Sequence, residues 1–408
     1  MKIWKKIALS SAALLAALSL SACSNESNTA SQTNTKNSNK PLLLWVDTDR
    51  LSWYKGVVKD FEKEYPNIKV RVVQSPNGAQ NAKTDVGKDP TKAADVFSVP
   101  HDQLGQMANA GYINPLSPSD SKNVRKQNVS VAVKGATWKN RIYAFPYAEQ
   151  DYVLFYNKSK LSSKDVKTWD TLTKKGVIGT KFTSAYSWFP LFFTAGAKLY
   201  GNDGNQPEGS QLSNKAGVNA MKWLAAQKKN KGAMQTTNAL NQLANGKADA
   251  IMDGPMDGVN IKKILGKNLG VAPYPTINIG GQQKQLQSFL GIECFAINSR
   301  TKNAKNAATL ARFLTNKKEQ LVVHEKRGEI PTNISAQSDP SVKKDPIAKP
   351  VMQMAQPGYS TIMPKIPQML IFWDNANALV SGAYDGKIKP AQYKPQLTKF
   401  EKTISKKN

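Results

Sequence analysis

The chain has 408 residues, and its 57 Lys and Arg against 29 Asp and Glu give a formal net charge of +28 at pH 7. A charge this large is typical of nucleic-acid-binding chains, but the lysines are scattered and no helix-turn-helix, zinc-finger or RNA-binding motif accompanies them. We therefore exclude nucleic acid as a partner and interpret the excess charge as a solvated surface that faces an anionic cell envelope.

The first 22 residues predict a secretory signal peptide. Three lysines precede an apolar run over residues 7–20, which is too short to cross a membrane comfortably. The small residues before Cys23 resemble a bacterial lipobox, which implies cleavage before Cys23 and attachment of lipid to it. An ordinary signal peptide followed by an incidental cysteine is the alternative.

Residues 23–40 predict a lipidated cysteine followed by a disordered tether. Residues 24–40 are rich in Ser, Asn, Thr and Gln and contain no large apolar residue, so they cannot bury enough surface to become ordered. About 17 flexible residues reach roughly 20–25 Å, which would hold a domain just off the outer face of the cell membrane. If Cys23 is acylated, Cys294 has no disulfide partner, and the remaining ~370 residues suit two lobes that are stabilised by their cores.

The first part of the body alternates strands and helices. We predict strands over 42–46, 68–73 and 95–99, and helices over 54–65, 79–86 and 104–108. This order favours a mostly parallel sheet with right-handed crossovers, in which ligands bind beyond the carboxyl ends of strands. Asp49 and Arg50 follow the first strand, and Asp102 follows the third.

Strand and helix patterns continue to the end of the chain, without an internal repeat. Strands are predicted over 141–147, 152–158 and 247–255, and helices over 218–228, 238–244, 304–314 and 397–404. Between the last two helices, Pro364 and Pro367 oppose helix formation, so Trp373 is expected in the first turns of the helix that follows. Its indole ring could face a ligand, and burial in the core is the alternative.

The order of these features resembles the extracellular solute-binding proteins of ABC importers, specifically the maltose/maltodextrin-binding branch. The matching segments are Phe145-Pro146 with 155–158, residues 186–190, residues 251–255, and above all the double-proline stretch 362–373. The resemblance implies an α/β fold of two lobes with a central cleft and a hinge that the chain crosses several times.

The resemblance also implies how the chain is divided. Lobe one takes residues 41–148 and 276–313, lobe two takes residues 152–272 and 318–408, and hinge crossings lie at 149–151 and 273–275. The ligand would favour the closed state by contacting both lobes. The closed form would then dock on a membrane permease that is powered by a cytoplasmic ATPase. The protein itself would do no chemistry and need no cofactor or metal.

A sugar site needs aromatic or other apolar faces for the ring carbons and polar groups for the hydroxyls. The residues that match family contact positions, or could pack against a sugar there, are Asp49, Arg50, Asp102, Gln150, Tyr186, Met256, Met363 and Trp373. Alternatives stay open: Asp102 could cap the next helix, Asp49 and Arg50 could pair on the surface, and Tyr186 and Trp188 could be core residues.

Several positions depart from the family pattern. Val99 and Met256 stand where tryptophan is usual, Gln103 replaces an arginine, Gln150 and Ser184 replace glutamates, and Asp374 replaces a tyrosine. With fewer rings and charges, an oligosaccharide still fits, but the departures leave maltodextrin itself open.

Three other functions remain as alternatives. A secreted glycosidase needs two carboxyl groups that flank the substrate, and Glu149 with Asp151 does not offer that geometry in a strand. A lipid-anchored adhesin would use the positive charge, and a cleft with several Asp residues could take a polyamine.

Overall fold

Two large β-sheets, each covered by its own helices, and two two-stranded hairpins make up residues 40–406, the part of the chain that this computed structural model describes. The predicted signal peptide, Cys23 and nearly all of the tether lie outside the described residues. Within 40–406, no helix combines the length and the apolar character needed to cross a bilayer.

The strands follow one another along the chain as β1 (Leu42–Val46), β2 (Val70–Gln74), β3 (Val96–Pro100), β4 (Thr137–Trp138), β5 (Arg141–Ile142), β6 (Ala144–Asp151), β7 (Val153–Asn157), β8 (Ile178–Thr180), β9 (Ala233–Gln235), β10 (Ala250–Asp253), β11 (Leu269–Ala272), β12 (Thr276–Ile279), β13 (Gln282–Gln285), β14 (Ser288–Ile297), β15 (Ile330–Pro331) and β16 (Ser360–Ile362).

The α-helices are α1 (Leu51–Glu64), α2 (Ala82–Lys88), α3 (Leu104–Asn109), α4 (Pro118–Gln127), α5 (Ser130–Ala136), α6 (Trp169–Lys175), α7 (Ala185–Trp188), α8 (Pro190–Ala195), α9 (Lys215–Gln227), α10 (Ala239–Ala244), α11 (Gly258–Leu265), α12 (Ala304–Leu314), α13 (Lys317–Arg327), α14 (Ile334–Gln337), α15 (Pro340–Lys343), α16 (Ala348–Met354), α17 (Met369–Tyr384) and α18 (Tyr393–Ile404).

The first sheet has the strand order β15-β6-β14-β3-β1-β2, and β16 pairs with β14. β1, β2 and β3 are parallel, as predicted, with Leu44 opposite Val72 on one side and Val96 on the other. β14 runs antiparallel to both β3 and β6, so the sheet is mixed rather than mostly parallel. β3 runs toward the second sheet, whereas β14 brings the chain back from it, and the two directions are therefore opposite.

The second sheet has the order β11-β7-β10-β8-β9 and an aromatic core. Phe182 stacks on Trp188 with ring centroids 4.6 Å apart, and Trp169 meets Trp188 edge-on at 5.5 Å. Both indole N–H groups are bonded, that of Trp169 to Gln227 and that of Trp188 to Thr180. Trp188 is thus a core residue, which was one of the alternatives for it.

The hairpin of β12 and β13 departs from the predicted lobe boundary at residue 276. It was assigned to lobe one, but Thr276 bridges Thr168, and Ile277 and Ile279 are buried in the same cluster as the second sheet's aromatic residues. The chain enters the first sheet only at Ser288, where β14 begins. The short polar sequence of β13 gave no apolar pattern by which the hairpin could be recognised.

Three adjacent strands connect the two sheets, and we call them the crossing wall: β6, β14, and β16 extended to Pro364. β14 lies in the middle and pairs with both others. Alternate residues point to opposite faces, as strand geometry requires. Gln150, Gly291 and Met363 line a cleft on the front face.

The back face of the crossing wall borders a second cavity, of about 660 Å³. Glu149 and Leu290, each next to a residue of the front face, line this back cavity. The predicted break between strands at 148–151 is wrong, because β6 continues through Asp151. Glu149 and Asp151, which lie in this continuation of β6, are both buried.

Burial of two carboxyl groups on β6 has an electrostatic cost that protonation avoids. Burial, together with the nearby Asp151, raises the pKa of Glu149 to about 8, and Gln337 donates a hydrogen bond to its Oε1 at 3.1 Å. Burial also raises the pKa of Asp151 to about 8, and Ser288 donates a hydrogen bond to it.

We predict that Glu149→Gln flattens the pH dependence of stability. Because the folded-state pKa is raised, the unfolded chain releases this proton near pH 4.5 while the folded chain keeps it to about pH 8. Between these values each such group lowers the free energy of unfolding by about 1.4 kcal/mol per pH unit as the pH rises. The variant should lose one such contribution in denaturation series from pH 5 to 8. Glu325→Gln, at a side chain 71% exposed, is the surface control, and equal slopes in both variants would contradict the prediction.

Candidate functional site

The front cleft has a volume of about 460 Å³ and is lined by the first sheet, the crossing wall and the helices of the second sheet. The residues that line it are Gln80, Asn81, Lys83, Thr84, Pro100, Asp102, Gln103, Gln106, Gln150, Tyr152, Tyr186, Met256, Gly291, Glu293, Met363, Leu370 and Trp373. Its location beyond the carboxyl end of β3 agrees with the expectation for ligand sites in such sheets.

One wall of the cleft is aromatic and apolar. Tyr186, from α7, lies between Tyr152 and Trp373, with ring centroids 5.3 Å and 6.4 Å away. Trp373 packs edge-on against Phe372 and Phe289, at 4.8 Å and 5.6 Å, which fixes the orientation of the indole. This wall therefore offers rigid ring surfaces to a ligand with apolar faces.

The double-proline loop that leads to Trp373 is held from both ends. Met363 N–H donates to the Leu290 carbonyl at 3.4 Å, and the Lys365 ammonium donates to the Lys134 carbonyl at 2.9 Å. α3 approaches the loop so closely that a Cβ at Gly105 would lie 2.1 Å from the carbonyl oxygen of Lys365. Trp373 is the fifth residue of α17. Its position thus depends on the contacts of the preceding loop with α3 and α5, as well as on the packing of α17 itself.

The opposite wall is polar and is fixed by Gln103. Its Oε1 accepts from the Lys83 N–H at 2.8 Å, and its Nε2 donates to the Gln80 carbonyl at 2.6 Å. Asp47 anchors the same segment by accepting from the Ala79 N–H at 2.7 Å. The amide of Gln103 therefore holds residues 80–84 in place, and its hydrogen-bonding groups are used within the protein.

Asp102 lies between these two walls. Its Oδ1 is buried and has no hydrogen-bond partner among the described residues, and it does not cap α3. Desolvation raises the pKa of Asp102 to about 6, with the Trp373 side chain and the Lys365 ammonium opposing the shift. The Trp373 side chain hydrogen-bonds this carboxyl group, and the unpartnered Oδ1 is suited to a hydroxyl group of a ligand.

The structure brings together six of the eight side chains predicted to contact ligand: Asp102, Gln150, Tyr186, Met256, Met363 and Trp373. Their proximity in the cleft is the arrangement that the prediction requires.

Asp49 and Arg50 do not line the cleft. Arg50 is buried and donates to Glu329 at 2.6 Å and to the Tyr147 hydroxyl at 2.9 Å. Asp49 instead pairs with Arg327 at 2.5 Å near the surface. The prediction for these two residues, and the alternative that they pair with each other, are both corrected. Asp49 pairs with Arg327, the last residue of α13, and Arg50 pairs with Glu329, which also lies 3.6 Å from Arg327.

Of the positions that depart from the family pattern, Gln103, Gln150 and Met256 line the cleft, whereas Val99, Ser184 and Asp374 do not. Val99 is buried in the first sheet's core, and Ser184 accepts a hydrogen bond from the Ser187 N–H at the start of α7. Asp374 is exposed and, like Asp253, does not line the cleft.

Sequence reasoning missed several residues of the cleft, notably Tyr152, Lys83 and Glu293. Tyr152 is two residues from Gln150 and could have been placed by strand periodicity. Glu293 is the one charged residue in the otherwise apolar or small run of β14, and a charge in a buried strand is itself a signal. Within residues 40–406 no cluster of His, Cys, Asp and Glu has the form of a metal site.

Comparison with known proteins gives a family match and several relatives. The family model for bacterial extracellular solute-binding proteins matches residues 56–350. A galactooligosaccharide-binding protein of Bacillus subtilis is 28% identical, over 98% of each chain, and a maltodextrin-binding protein of the same organism is 26% identical, over 92% of each.

Solved structures agree with these sequence matches. A maltodextrin-binding protein of L. casei without ligand is 56% identical with a TM-score of 0.86, covering 91% of this chain and all of the other. A cyclo/maltodextrin-binding protein complexed with maltotetraose is 25% identical with a TM-score of 0.76, over 90% and 98% of the two chains. The α/β fold of two lobes that the sequence predicts is confirmed.

We predict that Arg50→Met destabilises the fold strongly because it leaves Glu329 buried without its partner. Both side chains are at most 5% exposed, so the expected loss is about 3–5 kcal/mol in the free energy of unfolding. Urea denaturation followed by circular dichroism measures it. Asp49→Asn, which breaks a pair at the surface, should cost only about 0–1 kcal/mol. Similar losses in the two variants would show that the buried pair stabilises the fold no more than the surface pair does.

Proposed function

Because the chain belongs to the family of bacterial extracellular solute-binding proteins, we propose that it is the lipid-anchored substrate-binding component of an ABC sugar importer. It captures an oligosaccharide of the maltose/maltodextrin type in the front cleft and delivers it to a membrane permease coupled to a cytoplasmic ATPase. The protein itself does no chemistry and acts at the outer face of the cell membrane.

The observation that carries this proposal is the composition of the cleft. Trp373, Tyr186 and Tyr152 supply ring surfaces on one side, while Asp102 and Gln150 supply hydrogen-bonding groups. Sugars present apolar C–H faces and many hydroxyl groups, so such a pairing of walls suits them. Relatives named for maltodextrin and galactooligosaccharide binding support an oligosaccharide as the ligand.

Glu149 and Asp151, the pair of carboxyl groups weighed for the glycosidase alternative, do not suit that function. Glu149 lines the back cavity, and Asp151 is bonded to Ser288, so this pair does not flank a ligand in the front cleft. The relatives are binding proteins, which favours a binding function here.

Isothermal titration calorimetry with maltose, maltotriose, maltotetraose, a galactooligosaccharide and spermidine tests the proposal. Binding of at least one sugar with no response to spermidine supports it. Binding of spermidine alone would replace the sugar with a polyamine, and release of reducing ends from the sugars would indicate an enzyme.

We predict that Trp373→Ala weakens sugar binding by about 10- to 100-fold, because a stacked ring buries apolar surface against the sugar. Trp373→Phe, which keeps a smaller ring, should lose less. Calorimetry is the measurement, since the substitution itself removes a fluorophore. Trp53→Phe on α1, outside the cleft, is the control. An affinity for Trp373→Ala within twofold of the unmodified protein would refute the stacking role.

We predict that Cys23→Ala releases the protein from the membrane, because it removes the thiol to which lipid would attach. Cell fractionation and mass spectrometry of the mature N-terminus measure this. Cys294→Ala is the matched control, since Cys294 is fully buried in the first sheet and should not affect anchoring. Retention of the Cys23→Ala protein in the membrane fraction would point to another means of attachment.

A further inference from the structure

Glu293 occupies an unusual place in the crossing wall. It lies at the middle of β14, between Ile292 and Cys294, which are both fully buried. Its own side chain is 5% exposed, yet it lines the front cleft. Burying a charged side chain in such a strand costs free energy unless another group hydrogen-bonds to it or neutralises its charge.

The backbone around Glu293 directs its side chain into the cleft. The pairing of β14 with β6 shifts register between Glu293 and Cys294, so that Tyr147 is the extra residue on β6. This bulge on β6 sets the small Ala148, rather than Tyr147, opposite Glu293. Glu293 is paired with Ala148, and Gly291 is two residues away on the same face. Because both neighbours are small, space is left above the carboxyl group.

The protein does not satisfy this carboxyl group. Among residues 40–406, no side chain or backbone group donates a hydrogen bond to it. Arg50 is close enough to act on it electrostatically, but its guanidinium is bonded to Glu329 and Tyr147. Burial raises the pKa of Glu293 to about 8, with Arg50 opposing the shift and Asp102 adding to it.

Asp102 provides a second, independent observation at the same place. Its Oδ1 is buried and unpartnered, and both Asp102 and Glu293 line the front cleft. Lys83 lines the same cavity, so a polyamine would meet a positive charge there as well as the carboxyl groups. Neutral hydroxyl groups can donate to a carboxylate or accept from a carboxylic acid, and they avoid that repulsion.

We propose that Glu293 contacts the ligand directly and, together with Asp102, forms a polar pole that hydrogen-bonds neighbouring hydroxyl groups of a sugar ring stacked on the aromatic wall. This inference rests on the proposed function, since it names the part of the oligosaccharide that the site selects. Removal of hydroxyl groups at this pole should therefore weaken binding only when Glu293 is present.

The test compares Glu293→Gln, which keeps size and one acceptor, with Glu293→Leu, which removes all hydrogen bonding. Calorimetry uses the best-binding sugar of the panel and its monodeoxy analogues. We expect Glu293→Leu to weaken binding of the parent sugar by about 10- to 100-fold, and Glu293→Gln by less. At least one deoxy analogue should bind the unmodified protein weakly and lose little more affinity in Glu293→Leu.

Glu319→Gln is the matched control, because Glu319 is also buried with a raised pKa but lies on α13, away from the cleft. It should leave the affinity within about twofold. Thermal denaturation shows whether each variant is folded. If Glu293→Leu is not folded, the test uses Glu293→Gln alone.

The outcomes separate this inference from the function on which it rests. If the unmodified protein binds sugar and both Glu293 variants bind it equally well, the inference is wrong and the function stands. If the unmodified protein binds only spermidine, both are wrong. Release of reducing ends that is lost in Glu293→Gln and Asp102→Asn would make the pair catalytic and overturn a purely binding role.

Discussion

The alternation of side chains along three connecting strands is the constraint on which the molecule depends. Each strand of the crossing wall has one face toward the front cleft and the other toward the back cavity, because neighbouring residues of a strand point in opposite directions. Gln150 and Glu149 are adjacent in sequence and line different cavities. The same wall therefore shapes the ligand site and joins the two sheets. Any movement of one sheet relative to the other must involve these three strands.

The wall also concentrates groups that oppose stability. Glu149, Asp151 and Glu293 are buried carboxyl groups whose pKa values are raised to about 8 by desolvation. A core of apolar side chains would be more favourable at these positions. Buried, incompletely bonded polar groups in a natural protein call for an explanation, and Glu293, which lines the front cleft, fits a site that the ligand completes.

Local patterns in the sequence were enough to predict the elements with a clear apolar period, whereas others, among them β8, β9, β14 and α13, were not predicted. The apolar run of β1 and the periodic apolar residues of α1 and α12 gave their positions, since each buries one stripe or both faces. The hairpin of β12 and β13 was missed because a polar strand that packs through few side chains has no such pattern. Arg50 was placed wrongly in the cleft because adjacency to a strand end does not reveal a partner 279 residues away. Trp373 could be predicted from the resemblance of its loop, whereas Glu293 required the register of β14, which only tertiary structure sets.

A substitution at Gly105 would change the shape of the cleft without changing any side chain that lines it. Since α3 touches the backbone of the double-proline loop at this point, even an alanine would have to displace the loop, and Met363 and Trp373 would move with it. Since Gly105 lies in the segment from Gln103 to Gln106, both of which line the cleft, this displacement would change the width of the cleft while every residue that lines it stays the same.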